Sequence, residues 1–222
     1  MSPSRNGVRQ TYDRIATHFS ATREYPWPEV EAFLADRSGR IGFDAGCGNG
    51  RHAELLQDHV DRVIGLDVSR GILDTARLRA TDRNFEVDLL QGDAISLPIE
   101  SDRVDLAISI ATIHHLPSRA GRQESLGELA RVLAPSGVSL VSAWSTAHDR
   151  FDASRTDDAG IDTTLEWTLP NDETIDRYYH IYAPAEFEAD LNAGGLEIES
   201  SFLSSGNCYA VVRPALATEG KG

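Results

Sequence analysis

The feature that most constrains the fold is a glycine-rich segment directly after a short apolar run. Residues 41–45 predict a buried strand, and the sequence Gly-Cys-Gly-Asn-Gly follows at residues 46–50. Glycines at alternate positions let the chain turn sharply and let a ligand approach the backbone closely. A helix is predicted from Arg51, and its first N–H groups would face such a ligand. The order strand, glycine-rich turn and helix predicts a ligand site at the carboxyl end of a parallel sheet.

Predicted strands and helices alternate along the rest of the chain, which has 222 residues, the length of one domain. The alternation predicts an α/β fold with a mainly parallel sheet and an antiparallel hairpin at one edge, formed by the last two strands. A helical cap is predicted over residues 8–35. A lid or insertion is predicted over residues 145–182, irregular from Ser145 to Asp176, because long polar segments in compact domains usually cover a binding site.

Acidic residues near the ends of the next two predicted strands extend the candidate site. Asp67 ends the second strand, and Asp93 follows the third. A carboxylate in the position of Asp67 can accept hydrogen bonds from a ribose diol. A dinucleotide site is an alternative, but its usual pattern is G-x-G-x-x-G, whereas this loop has G-x-G-x-G followed by Arg51.

These residues together resemble the cofactor-binding set of class I S-adenosylmethionine-dependent methyltransferases. The resemblance implies a Rossmann-like sheet of seven strands in the order 3-2-1-4-5-7-6, with helices on both faces. It implies that the glycine-rich loop lies against the methionine part of the cofactor, Asp67 against the ribose and Asp93 against the adenine. The residues assigned to the cofactor in this way are Asp44, Gly46, Cys47, Gly48, Asn49, Gly50, Asp67, Val68, Asp93, Ala94, Ser109 and Ile110.

Further motifs are similar to those of the tRNA methyltransferases that esterify 5-carboxymethyluridine at the wobble position of the anticodon. The motifs are Tyr12-Asp13-x-Ile15-Ala16-x-His18-Phe19-Ser20-x-Thr22-Arg23, Pro26-Trp27-Pro28, Ala107-Ile108-Ser109-Ile110-Ala111-x-x-His114-His115, Trp167-x-Leu169-Pro170 and Arg177-Tyr178-Tyr179-His180-x-Tyr182. This resemblance implies tRNA as substrate and a small zinc-binding activator protein as partner. In the implied strand order the third strand, Phe85–Leu90, is an exposed edge, and we expect the activator to dock there by strand addition.

The chemistry of such an acceptor determines which side chains to look for. A carboxylic acid is already ionised at pH 7, so its oxygen needs no general base. An arginine fork can hold a carboxylate in one plane, and Arg23 and Arg177 are the candidates, with Tyr178 and His180 as hydrogen-bond partners. We also expect His114 to face the substrate and His115 to pack or to bond the backbone, without a metal, because adjacent histidines lack the spacing of a metal pair.

Aromatic residues add a candidate for binding the nucleotide itself. Trp27 stands between two prolines near the predicted mouth of the site. An indole ring in that position is a candidate platform for a base turned out of its stack.

Composition limits the remaining alternatives. The chain has no apolar segment long enough for a membrane span and no secretory signal at its N-terminus, so the sequence predicts a cytoplasmic protein. Its net charge of −14 is unusual for a protein that binds tRNA, and the 20 arginines could offset it locally, for example Arg5, Arg9, Arg14 and Arg23. Two other functions stay open: methylation of a small carboxylate or quinone-like metabolite, and a non-catalytic protein with this fold.

The acidic surface predicts adaptation to a cytoplasm of high salt. Because 35 acidic residues face 21 basic ones, self-repulsion destabilises the folded chain unless salt screens it. We expect the melting temperature to be lower in dilute buffer than in molar KCl, as measured by circular dichroism. A melting temperature that does not change with salt would contradict the prediction.

Overall fold

The computed structural model describes residues 3–151 and 159–215, which contain nine strands and six helices. The strands are β1 (Gly39–Ala45), β2 (Val60–Asp67), β3 (Asp88–Gln91), β4 (Val104–Ile110), β5 (Leu133–Trp144), β6 (Ile161–Thr168), β7 (Thr174–Ile181), β8 (Leu196–Ser204) and β9 (Asn207–Pro214). The helices are α1 (Arg5–Ala21), α2 (Pro28–Leu34), α3 (Arg51–Leu56), α4 (Arg70–Arg83), α5 (Arg119–Val132) and α6 (Pro184–Ala193). A single 3₁₀ turn, Ile113–His115, follows β4.

Seven of the strands form one sheet in the order β3-β2-β1-β4-β5-β9-β8. The strands β1 to β5 are mutually parallel, whereas β9 runs antiparallel to both β5 and β8. With β8 and β9 as the sixth and seventh strands, this is the predicted topology, and the α/β fold class is confirmed.

Apolar side chains of the central strands alternate between two cores, one on each face of the sheet. On one face Val104 and Ala107 of β4 pack with residues of α5 and α6, such as Leu126 and Phe187. On the other face alternate β4 residues such as Ile108 pack with residues of α2 and α3. Because both faces are covered, the central strands carry apolar residues on both faces, as is typical of a parallel sheet. No helix in the described residues is both long and apolar enough to cross a lipid bilayer.

Two predicted boundaries at the start of the chain and at the sheet edge need correction. The first helix begins at Arg5, before the predicted residue 8, because the Ser4 hydroxyl caps it by accepting from the Gly7 N–H at 3.1 Å. Strand β3 is at the edge, as predicted, but it begins at Asp88 and ends at Gln91. Phe85 belongs to the core instead, so only the second half of the predicted edge strand Phe85–Leu90 offers a free edge.

The predicted irregular structure between Ser145 and Asp176 is wrong for residues 161–176. Strands β6 and β7 form an antiparallel hairpin with Trp167 opposite Ile175 and Leu165 opposite Arg177. Residues along β6 are half-buried and exposed in strict alternation, the pattern of a strand with one covered face. Thr163 lies on the covered face and interrupts the apolar–polar alternation, which weakens this signal in the sequence. Residues 152–158 of the predicted irregular segment lie outside the described residues.

A buried polar network fixes the hairpin to α5 and α6. The Glu186 carboxylate accepts from the Gly160 N–H at 2.5 Å and lies 3.1 Å from His180 Nε2. The Arg122 guanidinium lies 3.5 Å from Glu186 and 3.9 Å from Asp190, and all three side chains are buried. Buried charges of this kind are strongly destabilising when one partner is removed, because the remaining charge stays desolvated.

We expect Arg122→Met to lower the free energy of unfolding by about 3 kcal/mol, because it leaves the buried Glu186 carboxylate without its arginine, whereas Asp190 keeps its ion pair with Arg119. Urea denaturation followed by circular dichroism measures the change. The matched control is Arg103→Met, since Arg103 pairs with Glu100 on the exposed surface, and its cost should stay below about 1 kcal/mol. Equal costs for the two variants would show that the buried network does not stabilise the fold.

Candidate functional site

The glycine-rich loop adopts a backbone conformation that side chains rarely allow. Gly46, Gly48 and Gly50 have φ values of 74°, 56° and 79°. Gly46 also lies so close to Thr112 that a β-carbon there would overlap the threonine side chain. Glycine is therefore required at position 46 for two reasons, and the turn brings the loop to the carboxyl ends of β1 and β4.

Asp67 at the end of β2 is oriented by the backbone. Its Oδ2 accepts from the Gly48 N–H at 3.1 Å and its Oδ1 accepts from the Ser69 N–H at 2.9 Å. Burial raises the pKa of Asp67 to about 6, although these two N–H groups oppose the shift. Each carboxylate oxygen has two lone pairs, so one on each oxygen stays available to a diol in the cavity.

The predicted cofactor residues fall into two groups. Those that line one cavity are Gly46, Cys47, Gly48, Asn49, Asp67, Val68, Asp93, Ala94 and Ile110. Asp44, Gly50 and Ser109 are buried beneath the cavity and do not line it, so direct contact with a ligand is not supported for these three. Asp93 is engaged by Arg5 at 2.5 Å, a pairing that the sequence did not predict. Burial raises the pKa of Asp44 to about 7, and the charge of Asp67 adds to that shift.

Helix α1 is tied across the glycine-rich loop by two side chains. Asp13 Oδ1 accepts from the Ser69 hydroxyl at 2.7 Å and from the Gly71 N–H at 3.0 Å. The Asn49 side-chain amide donates to the carbonyl oxygens of Ser20 and Arg23, at 3.3 and 2.8 Å. These bonds hold the end of α1 over the cavity, where its side chains form one wall.

Arg23 and Arg177 come together around Trp167. The Arg177 guanidinium carbon is 4.6 Å from the centre of the Trp167 ring, and that of Arg23 is 5.5 Å from it. The Trp167 indole N–H donates to His18 Nδ1 at 3.1 Å, which fixes the ring. Both arginines line the cavity, and Arg177 Nε is buried without a hydrogen-bond partner in the described residues. Burial and the neighbouring charge of Arg177 lower the pKa of Arg23.

Within residues 3–151 and 159–215, no ion pair involves Arg23, Arg51 or Arg177. All three line the same cavity. In a chain with 35 acidic residues, three cations without a carboxylate partner at one place form a site for an anion.

His114 and His115 both line the cavity, whereas the sequence placed them on opposite sides of the chain. The 3₁₀ turn brings their ring centres to 4.4 Å. The Trp144 N–H donates to His114 Nδ1 at 3.0 Å, so neutral His114 carries its proton on Nε2, 3.2 Å from His115 Nε2. His115 Nδ1 faces the Tyr178 carbonyl oxygen at 3.2 Å, and its Nε2 lies 2.9 Å from the Tyr12 hydroxyl.

Both histidines are neutral at pH 7. Burial lowers the pKa of His115 to about 3, and burial together with His115 and Arg177 lowers the pKa of His114 well below its usual range. The positive charge of this wall therefore resides on the arginines alone.

Tyr178 and His180 do not reach the cavity, and their predicted role beside Arg177 is not supported. Side chains of a strand alternate between its two faces, so Arg177 and Tyr179 face the cavity while Tyr178 and His180 face away. The Tyr178 hydroxyl donates to Asp162 at 2.7 Å, and His180 Nδ1 lies 2.7 Å from the same carboxylate. Tyr179 lines the cavity in their place.

Several residues of the wall were not predicted from the sequence. The cavity measures about 390 Å³, which suits a small organic cofactor, and the additional residues include Tyr12, Phe19, Arg51, Thr112, His115 and Tyr179. The alternation along β7 could have identified Tyr179, since residues two apart share a face. No local signal indicates Thr112, which the fold brings to Gly46 from the end of another strand.

The sequence of this chain is similar to those of known methyltransferases. A family model described as a methyltransferase domain matches residues 43–141. The chain is 31% identical over 216 residues to the Schizosaccharomyces pombe tRNA (carboxymethyluridine(34)-5-O)-methyltransferase, covering 88% of this chain and 91% of that protein. It is 42% identical over 139 residues to mouse tRNA (carboxymethyluridine(34)-5-O)-methyltransferase ALKBH8, covering 62% of this chain and 20% of the mouse protein.

The chain spans only part of several relatives, namely 20% of the mouse protein, 33% of the Arabidopsis thaliana protein and 58% of the Saccharomyces cerevisiae protein. Among solved structures, the fold is similar to the DhpI-SAM-HEP complex, with a TM-score of 0.71 at 20% identity, covering 94% of this chain and 98% of that one. It is also similar to a chain in the complex between the Haloferax volcanii Trm112 methyltransferase activator and a second protein described as a methyltransferase. The TM-score is 0.69 at 18% identity, and the match covers 96% of this chain and 99% of that one. With its class I methyltransferase fold, the chain belongs to the family of the tRNA (carboxymethyluridine(34)-5-O)-methyltransferases.

Proposed function

We propose that this protein uses S-adenosylmethionine to convert the carboxylate of 5-carboxymethyluridine at position 34 of tRNA into its methyl ester. The observation that carries the proposal is the pair of arginines, Arg23 and Arg177, held around one indole ring beside the glycine-rich loop. A carboxylate acceptor satisfies both guanidinium groups. The relatives from yeast and mouse are named for this same reaction.

The residues of the cavity fit the cofactor. A β-carbon at Gly48 would meet no atom within 4 Å, so the loop leaves open space at its tip, and Asp67 keeps one free lone pair on each oxygen. We assign the ribose hydroxyls to Asp67, the adenine to Asp93 and Ala94, and the methionine part to the loop of residues 46–49. When bound, S-adenosylmethionine supplies a methyl group on a positively charged sulfur, which keeps the electron pair of the broken bond as a neutral thioether.

The side chains around the acceptor bind and orient it without taking a proton. The acceptor carboxylate is ionised at pH 7, so its oxygen already carries the electron pair that forms the new bond to carbon. Arg23 and Arg177 hold this carboxylate in a fixed plane, and Phe19 and Tyr179 exclude water from it. The neutral His114 and His115 line the cavity without adding charge, so the carboxylate keeps part of its nucleophilicity.

Recognition of tRNA by this acidic chain has to rely on more than phosphate contacts. Of the four N-terminal arginines considered as a basic strip, Arg5 pairs with Asp93 and Arg14 with Glu173. We infer a cytoplasmic, salt-adapted enzyme from the net charge of −14. In high salt, the release of counterions that usually drives tRNA binding contributes less to the affinity. Shape and base stacking then contribute a larger share of the affinity.

We infer that a small zinc-binding activator completes the enzyme as a heterodimer. The free edge of β3, Asp88–Gln91, offers unpaired backbone groups for strand addition, and the similar structure from Haloferax volcanii comes from a complex with a methyltransferase activator. We also infer that residues 1–222 act as one domain, in which α1, α2 and the hairpin cover the site. A soluble, monodisperse and fully active preparation of the chain alone would contradict the need for an activator.

Transfer of labelled methyl groups from S-adenosylmethionine tests the proposed reaction directly. We expect labelling of total tRNA from cells that lack this gene, and nucleoside mass spectrometry should find the methyl ester at position 34 only where the gene is present. Labelling of small carboxylic acids in place of tRNA would contradict the proposed substrate.

We expect Arg23→Ala and Arg177→Ala each to lower methylation of tRNA about a hundredfold, because a misplaced acceptor loses the in-line geometry. Calorimetric titration should find the affinity for S-adenosylmethionine unchanged in both. Arg177→Lys keeps the charge but not the planar fork, so its rate should fall between those of the wild type and Arg177→Ala. The control is Arg103→Ala, a surface arginine outside the cavity. Full activity of both alanine variants would refute the carboxylate clamp.

We expect the affinity for S-adenosylmethionine to fall below pH 6 by about tenfold per pH unit. The pKa of Asp67 is about 6, and its protonated form loses the negative charge and acceptor capacity that bind the ribose hydroxyls. Asp67→Asn should bind weakly with no pH dependence between pH 5 and 8. The control is Asp74→Asn, an acid on the exposed surface of α4 outside the cavity wall, which should keep the wild-type dependence. A pH-independent affinity in the wild type would refute the role of Asp67.

A further inference from the structure

Trp27, the residue that the sequence indicated for base stacking, is half-buried and packs against three neighbouring side chains. The Arg51 guanidinium carbon lies 5.3 Å from the centre of its ring. His52 and Tyr209 approach the same ring edge-on, with centroids at 6.1 and 6.3 Å. Trp27 is therefore part of the cavity wall and is held there by its neighbours, so a base that stacks outside the cavity needs another aromatic ring.

The neighbouring Tyr25 is the exposed aromatic residue of this segment. Its surface is 78% exposed, the highest value among the large hydrophobic residues that the structure describes as exposed. Tyr25 lies two residues from both Arg23 and Trp27, which line the cavity, and its carbonyl oxygen accepts from Arg51 at 3.3 Å. The phenol ring consequently stands at the rim of the cavity, outside it.

The charges around this rim suit a polyanion. Arg51 lines the cavity and pairs with no carboxylate in the described part of the chain. Glu24, the one acid between Arg23 and Trp27, is occupied by Arg83 and lies 4.0 Å from Arg79. At the rim, Arg51 therefore stays without a carboxylate partner in the described residues, whereas the Glu24 carboxylate is paired with arginines of α4.

We propose that Tyr25 and Arg51 form a subsite for the nucleotide next to the acceptor uridine, in which the phenol ring stacks on the base and the guanidinium pairs with the phosphate. This subsite rests on the proposed function, since the cavity receives the acceptor nucleotide. Its occupant is a single-stranded RNA segment, because only an unpaired base presents a free face for stacking.

Stacking at the rim explains how an acidic chain can hold an acidic substrate. A base stacked on an aromatic side chain contributes about 1–3 kcal/mol by alanine substitution, and it does not depend on released counterions. The stack therefore persists at salt concentrations that weaken phosphate contacts.

Tyr25→Ala tests the stack in the chain co-expressed with its activator. The probe is an anticodon stem-loop RNA with 5-carboxymethyluridine at position 34, with the adjacent base replaced by a fluorescent purine whose emission is quenched by stacking. We expect the dissociation constant of the RNA to rise about fivefold to a hundredfold, by the same factor in dilute and in molar KCl, with quenching lost. Affinity for S-adenosylmethionine and the melting temperature should not change.

Two further variants separate stacking from other effects. Tyr25→Phe should bind like the wild type, because the ring and not the hydroxyl makes the stack. Leu203→Ala removes another exposed apolar side chain, on β8 at the sheet edge opposite β3, and should have no effect. Wild-type RNA affinity and quenching in Tyr25→Ala would overturn the stack.

Arg51→Gln tests the phosphate contact. We expect weaker RNA binding in dilute buffer, with the difference from the wild type shrinking as KCl increases, and an unchanged affinity for S-adenosylmethionine. A loss of cofactor affinity with unchanged RNA binding would overturn the phosphate contact and assign Arg51 to the cofactor. Failure of the proposed function has a different signature, namely no methylation of tRNA by the wild type, whatever residue occupies position 25.

Discussion

Three hydrogen bonds donated by backbone N–H groups hold the glycine-rich loop against the end of β2, and the whole site depends on them. The N–H groups of Gly46 and Cys47 donate to the Leu66 carbonyl oxygen at 2.7 and 2.9 Å, and that of Gly48 donates to Asp67 at 3.1 Å. Because this arrangement requires positive φ at the glycines, replacing them with other residues is energetically costly. It fixes the Asp67 carboxylate and the floor of the cavity at the same time.

Charge in the cavity is concentrated on a few groups whose surroundings determine their state. Burial keeps His114 and His115 neutral, while Arg23 and Arg177 remain cations around the Trp167 ring. An indole face stabilises two guanidinium groups that would otherwise repel each other. The site can therefore bind an anionic acceptor although the chain as a whole carries a charge of −14.

The fold was predictable because its signals are local in the sequence. The part of the cavity wall formed by β7 and Thr112 was not predictable in this way. Alternating elements and the glycine-rich loop indicated a mainly parallel sheet with a ligand site at its carboxyl end, and the resemblance to class I methyltransferases implied the strand order. The hairpin was missed because polar Thr163 lies on the covered face of β6 and interrupts the alternation, and this error led to the choice of Tyr178 and His180 in place of Tyr179. Phe85 was assigned to an edge strand because an apolar residue beside a strand is indistinguishable, in sequence, from one that packs under a helix.

The sequence by itself determined the turn at residues 46–50, because positive φ angles favour glycine and the three glycines can be read directly from the sequence. It also determined that Arg23 and Arg177 are the candidates for an anionic acceptor. Only the tertiary structure decided that these two arginines share one indole ring, that Thr112 lies against Gly46, and that Trp27 is half-buried while Tyr25 is exposed. These facts depend on contacts between residues far apart in the chain, and the direction in which a side chain points is set by the packing of neighbouring elements.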